Sequence, residues 1–414
     1  LKLIQNILAV PLILLLASCG SGPSSPAAPA DGIHAEQAGN GLARHINSMG
    51  IQVLDELRQE KQGNLIISPY SIYTALALAY NGAAGETAGE LGKLLGYAPD
   101  EREVMNNNHR NLFESFEKWG DGAELKTANS VWGQKGLKLL GSYKELVGDN
   151  YSASVHTADL SSDQTVADIN RWVSDHTEDK ITELLDTPFT TNPAAVLLNA
   201  LYFSAAWKEA FPEQLTAAGE FTLEDGTAVQ AMMMQQGTVY MYAETADWQA
   251  VRIPFSSRGL GMLVLLPGEH SSVEDIQRQM MRGEIPEAQR MESKQGRLIL
   301  PRFSASFAAD LRESVQALGV ERAFSPKKGD FSELVQLADP IYIDCILHKT
   351  FIHVDEQGTE GAAATLAGLL VGGAAPEEEP FEMKVNRPFL FAIEDWASGV
   401  WLFLGIIANP LDPS

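Results

Sequence analysis

Residues 361–375, GAAATLAGLLVGGAA, contain only Gly, Ala, Thr, Leu and Val. Side chains this small make a poor core, yet the run is too apolar for a comfortable solvated loop. A structureless stretch of about fifteen residues inside a domain is either functional or disordered in most cases. Disorder comes with polar, charged composition, so function is the better reading here. If the segment is extended, Thr359, Gly361, Ala363, Thr365, Ala367 and Leu369 share one face, while Glu360, Ala362, Ala364, Leu366, Gly368 and Leu370 share the other. The first face is wholly small or apolar, so such a strand can enter the middle of a sheet.

The rest of the chain reads as one large domain, because no composition break divides it after residue 40. With 30 Lys and Arg against 54 Asp and Glu, the formal net charge is −24. A concentrated basic face is lacking, so nucleic acid and heparin-type polyanions are not expected as partners. Of the two cysteines, Cys345 lies in an apolar strand-like run and is left without an intrachain partner. Cys19 ends Leu16-Ala17-Ser18-Cys19, which resembles the lipobox of a bacterial lipoprotein, behind an apolar run from Ile7 to Leu16. About ten apolar residues are too few to span a bilayer, which takes about twenty. We therefore expect a signal peptide over 1–18, acylation of Cys19 and a flexible Ser/Pro/Ala-rich tether over 19–40. That places the domain, 41–414, on the cell envelope, at the outer membrane or cell surface if the cell is Gram-negative, and otherwise secreted.

Helical spacing of Ile46, Met49, Val53, Leu54 and Leu57 predicts a first helix over 42–57. A short strand, 64–67, leads into Ser68-Pro69, an N-cap followed by proline at the first helical position, and the helix beyond it stops at Gly82. Val166 to Leu185 carries an apolar stripe and is expected as one helix. Ala195 to Phe203 is a continuous apolar run, the mark of a strand buried on both faces. Asn199 sits in its middle and needs a partner, since a buried unpaired amide costs about 1–3 kcal/mol. Strands are expected over 227–234 and 248–267, a helix over 309–324, and a C-terminal hairpin of 383–393 with 400–407 around the turn 395–399.

Glu356, Gly358, Thr359, Glu360, then Gly361, Ala362, Ala363, Ala364 and Thr365, follow the order of the hinge of inhibitory serpins, and the chain resembles that family from Leu42 to Pro410. Further matching segments are NLIISPYSIYTALALAYNGAAGET, INRWVSDHTEDKITELL, AAVLLNALYF and VNRPFLFAI. One departure is Gly361, where the family more often has Ala; the added backbone freedom weakens a strand by about 0.5–1 kcal/mol. The resemblance implies an α+β serpin fold: three β-sheets, a large central one, about eight to nine helices, and an exposed reactive-centre loop over roughly 356–381. It places Ser68 and Ser71 under the central sheet, pairs Asn199 with His348, and sets Trp207, Arg302 and Glu356 where the sheet begins to open. The plainer uses of Ser68 as a cap and of His348 as a satisfied core residue stand beside these roles. An Arg302–Glu356 pair on the surface contributes about 0–1 kcal/mol.

The function implied is irreversible protease inhibition: a protease acylates the loop, cleavage frees the hinge, and the hinge enters the central sheet. New backbone bonds and the entropy of ordering roughly balance, so burial of the small inward face and relief of strain must drive the change. Spacing from the hinge puts the reactive bond at Gly372-Gly373; counting back from Asn386-Arg387-Pro388 puts it near Glu377. Small residues there suit elastase-like serine proteases or papain-like cysteine proteases. Trypsin-like enzymes are disfavoured, as no Lys or Arg lies between Gly361 and Lys384. The alternatives are a non-inhibitory serpin acting as a binding or chaperone protein, and a surface adhesin. An enzyme is not expected: zinc-helix, nucleophile-elbow and phosphate-loop motifs are missing, and no cofactor or metal is implied. The expected partners are a target protease and, through Cys19, a membrane, with the protein itself a monomer.

Overall fold

The computed structural model describes residues 31–98, 100–120, 122–190, 193–284, 291–336, 340–359 and 379–413, with side chains from residue 41 onward except that of Glu117. Apart from the first turns of α1, the elements below lie in one body, Gly39–Ser414. Among the described residues there are eight α-helices: α1 (Asp31–Glu60), α2 (Pro69–Gly82), α3 (Gly85–Leu95), α4 (Arg102–Phe116), α5 (Gly141–Tyr151), α6 (Asp163–His176), α7 (Val273–Met281) and α8 (Arg312–Ala317). None is long and apolar enough to cross a membrane. Helix α2 is apolar on all sides and buried throughout, as that composition requires. Ser68 caps it by accepting the Ser71 N–H at 3.0 Å, and Pro69 opens its first turn.

The sheet that carries the site has six strands: β10 (Phe303–Asp310), β11 (Ile343–Val354), β4 (Ala195–Ala206), β2 (Ala123–Gln134) and β3 (Ser154–Ala158) in that order, with the two-residue β12 (Gly358–Thr359) beside β4. Its central pair, β11 and β4, is parallel, while β10 and β2 flank that pair antiparallel. The second sheet runs β1 (Leu65–Ile67), β15 (Trp401–Ile407), β14 (Phe389–Asp395), β8 (Leu260–Pro267), β7 (Trp248–Pro254), β6 (Ala228–Glu244), β9 (Glu292–Pro301) and β13 (Phe381–Lys384), with β5 (Ala217–Thr222) against β6. Two of the three sheets expected from the sequence are thus joined. Strand β6 pairs in turn with β5, β9 and β7 along its 17 residues and carries one ladder into the other.

Several boundaries differ from the sequence expectation. Helix α1 begins at Asp31 rather than Leu42 and takes in the last residues assigned to the tether. Helix α6 stops at His176 instead of running to Leu185. There the Thr177 hydroxyl donates to the Val173 carbonyl at 2.8 Å, and Glu178 and Asp179 turn into the left-handed region at φ 51° and 60°. Ala309 and Asp310 belong to β10, leaving α8 only Arg312–Ala317. The strand expected over 383–393 is broken at 385–388, where Pro388 has no N–H for a ladder; β13 pairs with β9 and β14 with β15 and β8.

Candidate functional site

Strand β11 leaves the sheet through a tight turn. Asp355 N–H donates to the Gly358 carbonyl at 3.0 Å, and the Asp355 carboxylate accepts the N–H groups of Gln357 and Gly358 at 2.8 and 3.2 Å. The turn is therefore at 355–357, and Gly358 already begins β12. Gly358 has φ +147°, and a Cβ there would come within 2.1 Å of the Ala205 carbonyl oxygen, so only glycine lets the backbone approach β4 this closely. Antiparallel pairs Gly358↔Ala206 and Thr359↔Ala205 follow. Thr359 is fully buried, and its hydroxyl accepts the Ala205 N–H at 3.0 Å.

Below this junction the β11–β4 ladder runs from Ile343↔Ala195 to Phe351↔Tyr202 and ends. Alternation divides β4. Ala195, Leu197, Asn199, Leu201, Phe203 and Ala205 face the main core, whereas Val196, Leu198 and Ala200 face α6.

Around the turn, Trp207 N–H donates to the Gln357 carbonyl at 2.8 Å and its indole Nε1–H to the Asp355 carbonyl at 2.9 Å. The Trp207 ring stacks on Phe255 at 4.7 Å. Arg302 donates from Nε to Glu356 Oε1 at 2.7 Å, and the Thr216 hydroxyl bonds the same oxygen. Glu356 is only 3 % exposed, so this is not the surface pair expected from the sequence. Burial alone would raise the Glu356 carboxyl; Arg302 and Thr216 more than offset it and hold the group below the usual carboxylate range.

Midway down the seam a polar group crosses the core. Asn199 Oδ1 accepts from the Ser71 hydroxyl at 2.6 Å and from His348 Nδ1 at 2.8 Å, and its Nδ2 donates to Asn129 Oδ1 at 2.6 Å. His348 Nε2 accepts the Ser68 N–H at 3.1 Å, which fixes the proton on Nδ1. Burial pushes this imidazole down to about 3, so it stays neutral. Strands β2, β4 and β11 and helix α2 thus meet at one satisfied cluster. Asn129 and Thr216 were not singled out from the sequence. A signal existed for Asn129, an amide within the mostly small or apolar run 128–133, and it stands directly opposite Asn199.

Helix α6 lies over the outer face of the same strands. Ile169 and Val173 pack with Val196, Leu198, Ala128 and Ala200, and Leu347 and Phe351 of β11 join these clusters. Cys345 is buried there, and burial pushes its thiol far up, so it is inert. Among the described residues no group of His, Cys, Asp and Glu is arranged to hold a metal ion. The remaining hinge residues Glu360, Gly361, Ala362, Ala363, Ala364 and Thr365, the bond Gly372-Gly373 and Cys19 lie outside the described residues.

Comparison with known proteins agrees with this geometry. The serpin (serine protease inhibitor) family pattern matches residues 44–410. An uncharacterized serpin-like protein of Thermococcus kodakarensis is 33% identical over 373 residues, covering 89% of this chain and 85% of that protein. Human leukocyte elastase inhibitor is 32% identical over 360 residues, covering 84% of this chain and 93% of that one. The crystal structure of the thermophilic serpin tengpin in its native state superposes with a TM-score of 0.81 at 26% identity, over 90% of this chain and 94% of that one. A parallel central pair, a hinge turned back onto β4 and a family match across nearly the whole body lead to one assignment: the chain belongs to the serpin family of protease inhibitors.

Proposed function

We propose that the protein is an irreversible suicide-substrate inhibitor, in which cleavage of the loop lets the hinge continue β12 down the seam between β11 and β4. The observation that carries the reading is the register already begun at Thr359↔Ala205. Continued without a slip, it sets Gly361 opposite Phe203, Ala363 opposite Leu201, Thr365 opposite Asn199 and Leu369 opposite Ala195, the first residue of β4. Every one of these partners faces the core. Ala362, Ala364 and Leu366 would lie under α6, where only small or apolar groups fit.

A strand leaving β11 through a tight turn necessarily runs antiparallel to β11, and because β4 is parallel to β11 it runs antiparallel to both. Entry parts β11 from β4 and takes His348 away from Asn199. Thr365 brings a hydroxyl to the same level and face, so the buried amide need not lose a partner. Leu369 reaches the end of β4, which leaves Gly372-Gly373 just beyond the sheet and supports that bond over one near Glu377. A protease esterified at the new carboxyl end is carried to the far end of the sheet.

Glycine and valine around the bond point to elastase-like serine proteases or papain-like cysteine proteases as targets. Likeness to the leukocyte elastase inhibitor supports the former. We further infer attachment to the cell envelope through acylated Cys19, with the inhibitor acting as a monomer outside the cell. Metabolic labelling with a fatty acid, lost in Cys19→Ala, is the expected result. The central test is incubation with elastase-like, papain-like and trypsin-like proteases. An SDS-resistant covalent complex is expected with one of the first two, with a released peptide beginning at Gly373. Cleavage at that bond with no complex would mean a substrate and not a trap.

A further inference from the structure

Four rings join α6 to the edge of the six-stranded sheet. Trp132 of β2 stacks on His156 of β3 at 4.4 Å, His156 meets the edge of Trp172 of α6 at 5.9 Å, and Trp172 lies against His176 at 4.3 Å. His176 is tied to its own helix, its Nδ1 lying 2.7 Å from the Trp172 carbonyl. His156 is different: its Nε2 is buried and has no hydrogen-bond partner. Among the described residues no carboxylate lies within ion-pairing distance of either ring; the histidine that has one is His353, with Asp355.

We propose that this stack is a pH-sensitive latch on α6: with His156 neutral it holds the helix over the β11–β4 seam, and protonation of His156 releases it. A proton on Nε2 would be a buried charge without an acceptor. The two indoles offset part of that cost by offering their π systems to a cation. The charged groups around the ring act the other way: His176 on α6 and Lys144 on α5 are both basic. Burial first, then His176 and Lys144, push the His156 imidazole below its ordinary value. The sign follows. A histidine whose folded value is depressed favours the docked arrangement fully at neutral pH. That contribution fades as the pH falls below about 6.5 and through the folded value.

Undocking would not free α6 entirely. Lys126 remains paired with Glu178 at 2.9 Å, and Lys349 still holds the Glu183 carbonyl beyond the helix. The effect is a loosening of the helix at its β3 side, over the strands that must part. The consequence for trapping, faster strand entry in acid, rests on the insertion reading above; the latch itself does not.

The test uses the intact, uncleaved protein with no protease. Amide hydrogen exchange at pH 7.5 and 5.0, corrected for intrinsic rates, should show protection across 163–176 falling at least tenfold in acid while that of α2 is unchanged. Tryptophan emission should be quenched over the same range as the His156 ring titrates by NMR. His156→Phe keeps an aromatic ring in the stack and cannot take the proton, so the acid loss in α6 should vanish. Equal α6 protection at the two pH values overturns the proposal, as does His156→Phe showing the wild-type acid loss. If that variant does not fold, wild-type titration of His156 with no accompanying change in α6 overturns it equally. Loosening of α6 in a protein that forms no protease complex at any pH would support the latch and sink the inhibitory reading instead.

Discussion

The β11–β4 seam and the β14–β15 hairpin are both buried strand pairs, yet they are built on opposite plans. In the hairpin, Leu390 to Ile393 and Leu402 to Leu404 are at most 1 % exposed, the pairing is antiparallel, and β8 continues it on the far side. What holds it is close apolar packing, which opens only by leaving cavities or wetting the core. The seam is parallel, and its middle is pinned by Asn199, His348, Ser71 and Ser68. Hydrogen bonds are directional and exchangeable: a new strand with a hydroxyl at the right level can replace the partner that leaves. If the seam parts as proposed, a few polar pins close it better than a tight apolar fit would.

Four changes would break or sharpen that contrast. Phe391→Ala, in the hairpin, should cost about 3–5 kcal/mol of folding stability. Denaturant unfolding of the intact protein measures it. The ratio of trapped to merely cleaved molecules should not move; a change in that ratio would mean that the hairpin takes part in opening. Thr359→Arg puts an unpaired charge at a fully buried position at the head of the seam, a cost of several kcal/mol. It should turn inhibitor into substrate, with the covalent complex reduced more than tenfold on SDS gels.

Asn199→Ala is next, leaving the Ser71 hydroxyl, His348 Nδ1 and Asn129 without their partner at about 1–3 kcal/mol. Here the loss should appear both as a lower melting temperature and as faster conversion of uncleaved protein to an inserted, inactive form. Arg302→Ala comes last: the arginine is itself 42% exposed, but its loss leaves the buried Glu356 carboxylate with Thr216 as its remaining side-chain partner, at about 1–3 kcal/mol. It also carries a pH signature. Glu356 has its carboxyl held below the usual 4.5, so its contribution is complete above that value and is lost as the pH falls through the lower folded one. Hydrogen exchange across 355–358 should therefore quicken below about pH 4.5 in the wild type and begin to do so at higher pH in Arg302→Ala.

The parts legible in the sequence were those in which local chemistry and the fold agree. Ser68-Pro69 dictated the start of α2, and the unbroken apolar run around Asn199 announced a strand buried on both faces. The demand of Asn199 for a partner follows from burial alone, while His348 as that partner came through the family resemblance. Boundaries set by tertiary contacts were not legible. The stripe of Ile181, Leu184 and Leu185 continues the helical spacing of α6, but those residues cover the sheet from a non-helical segment held by Thr177, Asn170 and Lys349. Glu356 looked like a surface acid because nothing nearby in sequence shows that it is buried with Thr216 bonded to its carboxylate. The union of two sheets through β6 rests on one long strand changing partners, which periodicity does not register.

Because β11 and β4 run the same way, a segment folded back from the end of β11 can lie against either of them only in the opposing direction. Filling the seam converts a stretch of sheet with mixed strand directions into one in which neighbours alternate. Under the insertion proposed above, a strand flanked on both sides by antiparallel partners would have to break both ladders at once to leave. If the hinge enters the sheet as proposed, each molecule is spent by a single encounter, and protection by it would scale with how many copies the cell makes and not with how fast each one works.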